Sequence, residues 1–329
     1  MKPDKMGTEP MIHEAKVDED WNESYYFIFY DKQNQIGGMS RLGFKPNKKE
    51  GSIFLILFLP DGSAGLYSGL EKVDDEQRKK RTAVAGMSYE RSPNGDWRYR
   101  FKGNLVVAKN PEDLPQTRQH PEFIDRIVDV ELDLHLVPIN ETYEYSVNMT
   151  LESRELGKKS GDEHWEQIGE VSGCVTVNEV GYKIQNVIGQ RDHTHGVRDW
   201  TGVGNWLYYV VWFDDRLCVN PAAIVADDGR ISSGGFIFED GRNIPIKTIR
   251  LIEQEFRANG YPVSSKIEII DAHDRKHVLE GKTGSVVPMP FVDNQGKLSI
   301  LIQSFGDFVF DGHRGGYGSY ENLRKIKGK

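Results

Sequence analysis

The residues of this chain that are best suited to chemistry lie in one polar stretch between Gly189 and Trp200, Gly-Gln-Arg-Asp-His-Thr-His-Gly-Val-Arg-Asp-Trp. It contains two Arg-Asp pairs and two histidines separated by one residue. Side chains alternate in direction along an extended strand, so we expect His193 and His195 on one side and Asp192 on the other. Imidazole and carboxylate groups transfer protons and bind metal ions. The stretch is therefore the first candidate for a functional site.

The composition indicates an ordinary globular protein. Its 329 residues are 38% hydrophobic, which is enough for one large domain or two smaller ones. The net charge of -8 argues against a nucleic-acid partner, because nucleic-acid binders usually carry a concentrated basic face. The one dense basic run, residues 78–81, follows three acidic residues and is interpreted as a mixed-charge loop or short helix.

No targeting or membrane signal is recognisable. Residues 1–20 are polar and lack the apolar core of a signal peptide, and the longest apolar runs, 53–60 and 206–213, are only as long as strands. Cys174 and Cys218 are too few for a disulfide framework, as expected in a reducing compartment. We therefore predict a cytoplasmic protein without a membrane span, and no heptad pattern indicates its oligomeric state.

Strand patterns extend through nearly the whole chain. Residues 128–136 alternate strictly between apolar and polar, and Pro93-Asn94-Gly95-Asp96 is a hairpin turn between two β-rich segments. Only residues 74–82 and 249–259 favour a helix. Regularly spaced short strands predict a sandwich or a barrel.

The length of the chain predicts two β domains, because one small barrel holds only about eight to ten strands. We predict an N-terminal extension over residues 1–20, a first domain over 21–190 and a second over 191–329. The 189–204 segment would then lie at the junction. Ligand sites favour barrel mouths and domain interfaces, so the polar stretch has a suitable position.

Four motifs occur in a fixed order along the chain: Trp21-Asn22-Glu23-Ser24-Tyr25-Tyr26-Phe27, Gly37-Gly38-Met39-Ser40-Arg41-Leu42-Gly43, His164-Trp165-Glu166-Gln167 and the run from Arg191 to Trp200. Together they resemble the superfamily of double lipocalin-like proteins, which includes AttH-like proteins, carotenoid 1,2-hydratases, kievitone hydratase and several fungal Diels–Alder cyclases. The chain is most similar to a bacterial branch whose central motif usually reads Arg-Asp-His-Ser-Trp-Gly. Here Thr194 and His195 replace the Ser and Trp. The resemblance extends from about Trp21 to Glu321.

The resemblance implies an all-β fold of two lipocalin-like β-barrels, or strongly curved antiparallel sheets, packed side by side. It also implies chemistry without an organic cofactor, in which water is added to or removed from a carbon–carbon double bond, or a polyene is cyclised. Protonating an alkene needs a carboxylic acid that stays protonated near neutral pH, and burial among aromatic residues raises a carboxyl pKa. The aromatic residues expected to form such a substrate-binding wall are Tyr25, Tyr26, Trp200, Trp206 and Tyr208.

Asp192 is the first candidate for the acid, with His193 as its partner or base. In the structural alternative, Asp192 forms an ion pair with Arg191 or Arg198 and only fixes the linker between two barrels. His195 is the second candidate imidazole, and its alternative is a surface position.

Further candidates lie outside the polar stretch. Glu23 begins an aromatic strand and is a possible second carboxylate. His164 and Glu166 share a strand face by their spacing, and we expect them to converge with His193. A polar outer face is the alternative for all three. The remaining candidates for substrate contacts are Arg191, Arg198, Asp199 and Glu321.

The pair His193 and His195, followed by Asp199, partly matches the ligand pattern of cupins, which need one more histidine. His164 or His313 would have to supply it. Because this spacing fits only loosely, we predict no metal and no cofactor. A cupin-like metal enzyme that uses His193 and His195 is retained as an alternative.

The resemblance, with these candidate residues, implies a lyase or isomerase that needs no cofactor: a hydratase, dehydratase, double-bond isomerase or cyclase. Its expected partner is a hydrophobic terpenoid, steroid or polyketide-like molecule. No nucleophile elbow in a strand-to-helix context supports a serine hydrolase. The first alternative is a lipocalin-like carrier that binds an apolar ligand without chemistry.

Overall fold

The structure is a computed structural model that describes residues 9–326. It is almost entirely β, which confirms the predicted fold class, and it divides into two compact units. Within the described residues, the first unit comprises 9–143 and 162–197, and the second comprises 144–161 and 198–326.

The sheet of the first unit is antiparallel and curved. Its strands are β1 (Trp21–Asp31), β2 (Ile36–Lys45), β3 (Glu50–Phe58), β4 (Ala64–Lys72), β5 (Ala83–Val84), β6 (Met87–Arg91), β7 (Trp97–Ala108), β8 (Arg126–Pro138), β9 (Tyr143–Glu144), β10 (Glu163–Val177) and β11 (Val180–Val197). Neighbours follow the order β4-β3-β2-β1-β11-β10-β8-β7-β6-β5, with β9 on β10. An additional pairing of β4 with β7 joins eight of these strands into a ring.

Strands β1, β11 and β10 lie side by side and position most of the candidate residues. Directly paired residues on neighbouring strands project to the same face of a sheet. Three successive rows across these strands are Glu23–His195–Glu163, Tyr25–His193–Trp165 and Phe27–Arg191–Gln167. We call the face that carries Tyr25 and Phe27 the inner face, because both residues belong to the core of the first unit. The opposite face is the outer face.

The core of the first unit is dense and aromatic. Phe27 and Tyr99 stack with their ring centroids 3.7 Å apart, and both side chains are almost fully buried. Burying one such side chain contributes roughly 1.5–3 kcal/mol. The hairpin predicted at residues 93–96 connects β6 to β7, and the alternating segment 128–136 lies in β8.

The second unit is a closed barrel in which consecutive strands pair in order and the last returns to the first. Its strands are β12 (Asn205–Trp212), β13 (Leu217–Val225), β14 (Ile231–Glu239), β15 (Arg242–Phe256), β16 (Pro262–Asp271), β17 (Lys276–Val292), β18 (Leu298–Phe310) and β19 (His313–Ile326). Aromatic side chains fill its interior as well, where Tyr209 and Tyr320 lie 4.5 Å apart.

Helices are short. The α-helices are α1 (Asp75–Lys80), α2 (Tyr145–Asn148) and α3 (Leu151–Gly157), and the 3-10 turns are Pro46–Lys48, Pro111–Gln116, Pro121–Phe123 and Lys158–Ser160. Helix α1 lies within the predicted helical residues 74–82 and begins with a capping box of Asp74 and Gln77. None of the helices in the described part of the chain is long and apolar enough to span a membrane.

The prediction of a helix over residues 249–259 is wrong. Residues 249–256 belong to β15, and the remainder forms a turn. Ile249 and Leu251 pack in the core of the barrel of the second unit, while Glu253 and Glu255 pair with residues of β16. Pairing with a neighbouring strand outweighed the helix propensity of the long polar side chains here.

The domain boundaries drawn from the sequence also differ from the observed units. Strand β11 continues through residues 191–197 and pairs with β1, so the first unit ends at Val197 rather than at 190. Residues 144–161 belong to the second unit. Residues 9–20 are not a peripheral extension, because Glu9 is buried and Met11 packs against the core of the first unit.

Candidate functional site

The polar stretch is part of strand β11, and its side chains alternate as expected. Arg191, His193 and His195 lie on the inner face, whereas Asp192 lies on the outer face. The expectation that Asp192 and His193 act as a pair is therefore wrong, because consecutive residues of a strand project to opposite sides. The structure instead forms two separate groups of charged residues.

The first group, the inner cluster, consists of Glu9, His13, Glu23, Arg78, Arg191 and His193. His193 is fully buried, with its Nε2 atom 3.1 Å from Glu23 Oε1 and its Nδ1 atom 3.5 Å from Glu9 Oε1. Its ring stacks on Tyr25 at 4.4 Å. Burial alone would lower the pKa of His193, but the carboxylates of Glu23 and Glu9 outweigh it and raise that pKa above its ordinary value.

Arg191 is, with Arg78, one of the two buried guanidinium residues of the inner cluster. Its Nη1 and Nη2 atoms donate to the two carboxylate oxygens of Glu9, and Nη2 also donates to Gln167 Oε1 at 2.8 Å. The guanidinium lies over the Trp97 ring at 4.8 Å. Arg191 therefore pairs with Glu9, and the alternative pairing with Asp192 is wrong because the two side chains leave the strand on opposite faces.

Glu23 is the central carboxylate of the inner cluster and is fully buried. Its Oε1 atom accepts hydrogen bonds from His13, from the backbone N–H at 2.9 Å and from Nδ1 at 2.8 Å, while Arg78 donates to Oε2. Burial alone would raise the pKa of Glu9 and of Glu23. The charge of Arg191, first for Glu9, and the hydrogen bond from His13, first for Glu23, act with the other partners to outweigh burial and hold both pKa values at about 2. Glu23 is therefore an ionised carboxylate in the folded protein.

Sequence reasoning missed Glu9, His13 and Arg78. Glu9 and His13 lie in a segment without regular secondary structure, where no periodicity signals which side chain is buried. Arg78 lies on α1, and its run of basic residues favoured a solvated helix face. Its side chain is nevertheless buried and reaches Glu23.

His195 lies beside the inner cluster, buried with 6% of its surface exposed, so a surface position is wrong. Its ring centroid is 4.1 Å from that of His13, and its Nε2 atom is 3.3 Å from Glu163 Oε2. Neither ring nitrogen has a hydrogen-bond partner within residues 9–326. Burial, followed by repulsion from His13, lowers the pKa of His195.

The second group, the outer cluster, consists of His164, Glu166 and Asp192 on the outer face. His164 Nε2 lies 2.9 Å from Glu166 Oε1 and 3.4 Å from Asp192 Oδ2. Glu166 is fully buried and accepts a hydrogen bond from Gln190 at 2.6 Å, whereas His164 and Asp192 keep 25% and 17% of their side-chain surfaces exposed. The predicted common face of His164 and Glu166 is confirmed, but their partner is Asp192 rather than His193.

Tyr26 is paired with Asp192 across β1 and β11 and thus lies on the same face as the outer cluster. Tyr25, in contrast, lies on the inner face, where its hydroxyl donates to the carbonyl of Met11. Of the two predicted wall residues in the first unit, only Tyr26 is therefore positioned next to Asp192.

The raised pKa of His164 leads to a testable prediction. Burial alone would lower its pKa, but Asp192 and Glu166 raise that pKa from 6.5 to about 9. Because the folded-state pKa is above the unfolded value, the stabilisation from this group is complete below pH 6.5 and is lost as the pH rises through about 9. We expect the His164 ring resonances in NMR to titrate with a midpoint near pH 9, and the Asp192→Asn variant to titrate at lower pH. A wild-type midpoint below 7 would contradict this result.

The other candidates lie in the second unit. Trp206 Nε1 donates to Glu321 Oε1 at 3.0 Å, Gln303 donates to Glu321 Oε2 at 2.6 Å, and Tyr208 is paired with Glu321 across β12 and β19. Trp200 stacks on Phe291 with centroids 4.4 Å apart. Glu321, Trp206 and Tyr208 thus form one group.

Arg198, Asp199 and His313 have local contacts in the second unit. Asp199 Oδ1 accepts the backbone N–H of Gly202 at 2.7 Å and caps a turn. Arg198 donates to the Ser160 carbonyl, and His313 is exposed at the start of β19. The cupin-like alternative with Asp199 as a ligand therefore receives no support from this geometry, since the carboxylate already caps the turn.

Three groups of described residues bring potential metal-ligating atoms within 4.8 Å of one another. Two of them share His13 and lie on the inner face, and the third is the outer cluster. They are His13–Glu23–His193, His13–Glu163–His195 and His164–Glu166–Asp192.

Comparisons with known proteins agree with this description. The family model described as Domain of unknown function (DUF7064) matches residues 10–326. No curated protein matches the chain in sequence.

Solved structures share the fold at low sequence identity. An AttH-like protein from Nitrosomonas europaea has a TM-score of 0.61 at 12% identity, covering 97% of this chain and 98% of its own. Kievitone hydratase from Nectria haematococca has a TM-score of 0.56 at 10% identity, covering 94% and 89%. CghA has a TM-score of 0.56 at 8% identity, covering 99% and 95%. The resemblance to the double lipocalin-like group is thus confirmed for the fold.

Proposed function

This chain belongs to the DUF7064 family, and we propose that it is an acid–base lyase or isomerase that acts on a hydrophobic molecule without an organic cofactor. One observation carries the proposal. In the outer cluster an imidazole lies between two carboxylates, and both His164 and Asp192 keep part of their surface exposed. The cluster thus combines a proton donor, a proton acceptor and access for a substrate.

Each residue of the outer cluster has a distinct role in this proposal. For hydration of a double bond, Asp192 takes a proton from water, the oxygen bonds to one carbon, and His164 gives a proton to the other carbon. The proton then passes from Asp192 to His164 across the 3.4 Å contact, which restores the starting state. Glu166 is buried and orients His164 through the 2.9 Å contact. Dehydration is the reverse sequence, and isomerisation removes and returns a proton at two carbons of the substrate.

The hydrophobic substrate is inferred from the surroundings and from the fold. Tyr26 lies next to Asp192 on the outer face, together with the buried Ile28 and Ile168. The fold is shared with a protein named kievitone hydratase. A terpenoid, steroid or polyketide-like molecule suits such a mixed polar and apolar surface.

Incubation in heavy water tests the proposal, because hydration and isomerisation place deuterium on a substrate carbon, whereas dehydration gives a product that is lighter by one water. The protein is incubated in heavy water with prenylated phenols, steroid enones and polyketide-like dienes, and the recovered molecules are measured by mass spectrometry. We expect deuterium at a substrate carbon, a rate about 10²–10⁴-fold lower for Asp192→Asn, and a melting temperature within a few degrees of the wild type. Glu131→Gln, which changes an exposed carboxylate of β8, is the matched control.

Equal deuterium incorporation by the wild type and Asp192→Asn would reject the role of the outer cluster. Tight binding of a probe with neither deuterium transfer nor loss of water would favour the carrier alternative. The structure gives that alternative less support, because aromatic side chains belong to the hydrophobic cores of both units. Binding inside a barrel would have to displace side chains such as the stacked Phe27 and Tyr99.

A further inference from the structure

We propose that His13, Glu163 and His195 bind a divalent transition-metal ion, zinc or iron(II), on the inner face of the first unit. The three side chains come from distant parts of the sequence: the N-terminal segment, the start of β10 and the end of β11. This site is separate from the outer cluster, which lies on the opposite face of the same strands.

The first argument is convergence. The potential ligand atoms of these three residues all lie within 4.8 Å of one another, and His195 Nε2 is 3.3 Å from Glu163 Oε2. Ligand bonds to zinc are about 2.0–2.2 Å long, so two ligand atoms on one tetrahedral ion lie roughly 3.3–3.5 Å apart. Only small side-chain adjustments are needed to close the site around an ion.

The second argument is the unsatisfied state of His195. Its side chain is more than nine-tenths buried, and among the described residues neither Nδ1 nor Nε2 has a partner with hydrogen-bond geometry, although Nε2 lies 3.3 Å from Glu163 Oε2. Buried polar atoms are almost always paired, and an unpaired one is costly. A metal ion bound to one of these nitrogens would supply the missing partner.

The third argument is the orientation of His13. Its Nδ1 atom is bound by Glu23 Oε1 at 2.8 Å, which leaves Nε2 as the atom available to a metal. A carboxylate that holds the second ring nitrogen of a ligand histidine is a common feature of metal sites. Glu23 would therefore be a positioning residue for His13.

The donor set and the charges suit a transition metal. Two imidazoles and one carboxylate favour zinc or iron(II), whereas Mg²⁺ and Ca²⁺ prefer oxygen ligands. The nearby guanidinium groups are already compensated, Arg78 by Glu23 and Asp75, and Arg191 by Glu9. Glu163 keeps 43% of its side-chain surface exposed, which provides an entry path for the ion.

Metal binding to the full chain, purified without a histidine tag and stripped with EDTA, tests this proposal. We expect about one Zn²⁺ per chain, an absorption spectrum of tetrahedral or five-coordinate Co²⁺, and no competition by excess Mg²⁺. The His195→Phe variant should bind Zn²⁺ roughly 100-fold more weakly or worse, while His313→Phe should bind like the wild type.

Two outcomes would overturn the proposal: no Zn²⁺ or Fe²⁺ binding tighter than that of the His195→Phe variant, or Zn²⁺ binding that is lost equally in His313→Phe. If His195→Phe fails to fold, Glu163→Gln gives the same test, because Glu163 is partly exposed. The Asp192→Asn variant should keep its metal. Failure of the metal site is therefore distinguishable from failure of the proposed acid–base function.

Discussion

Replacing Arg191 with methionine should lower the free energy of unfolding by about 3–5 kcal/mol. The substitution keeps much of the side-chain length, but it removes the guanidinium that lies over the Trp97 ring and leaves Glu9 as a buried carboxylate without its ion-pair partner. It also removes the hydrogen bonds to Gln167 and Thr142. Urea unfolding followed by tryptophan fluorescence measures the loss.

The matched control is Arg98→Met in the same sheet. Arg98 forms an ion pair with Asp133 at 2.6 Å, but both side chains are 40% exposed. Exposed pairs contribute only about 0–1 kcal/mol, because water solvates the charges when the pair is broken. A loss for Arg191→Met no larger than that for Arg98→Met would contradict the assignment of the inner cluster as a buried ion-pair network.

A double-mutant cycle separates the ion pair from the packing of Arg191. Glu9→Gln alone should be destabilising, because it leaves the buried guanidinium without a carboxylate. In the Glu9→Gln background, Arg191→Met should lower the free energy of unfolding markedly less than in the wild type. The reason is that no Glu9 carboxylate remains to be left without a partner. Strict additivity of the two losses would show that the two side chains do not interact.

Removal of residues 1–16 should lower the melting temperature of the first unit by roughly 10 °C. Three buried contacts disappear together. Glu9 no longer pairs with Arg191, the Met11 carbonyl no longer accepts from Tyr25, and His13 no longer donates to Glu23. Differential scanning calorimetry of the shortened chain measures this loss.

Lys16→Ala is the control for the shortened chain. Lys16 belongs to the same segment, but its ion pair with Asp162 is exposed, so its removal should change the melting temperature by no more than about 1–2 °C. An unchanged melting temperature after removal of residues 1–16 would show that this segment contributes nothing to the stability of the first unit. The N-terminal extension predicted from the sequence would then be an adequate description.

The two clusters have different physical consequences. In the inner cluster, buried carboxylates are matched by guanidinium and imidazole groups, so Glu9 and Glu23 remain ionised with pKa values of about 2. Ion pairs and hydrogen bonds of this kind stabilise the packing of the N-terminal segment and α1 against the sheet of the first unit. In the outer cluster, one imidazole is shared by two carboxylates and remains partly exposed, which suits proton transfer to a bound molecule.

Much of the fold could be predicted from local patterns. The alternation over residues 128–136, the turn at 93–96 and the capping signal before α1 each reflect backbone geometry within a few residues. The same geometry correctly separated His193 and His195 from Asp192. Motif order was sufficient for the double lipocalin-like fold, which the solved structures share.

Contacts between residues that are far apart in the sequence are determined by the tertiary structure alone. Arg191 and Glu9 are 182 residues apart in sequence, and His193 and Glu23 are 170 apart. Strand register and the path of an irregular segment bring them together, and no local periodicity encodes either. The low pKa of Glu23 depends on tertiary structure for the same reason. Burial can be inferred from aromatic neighbours in the sequence, but the cations that outweigh burial come from distant segments.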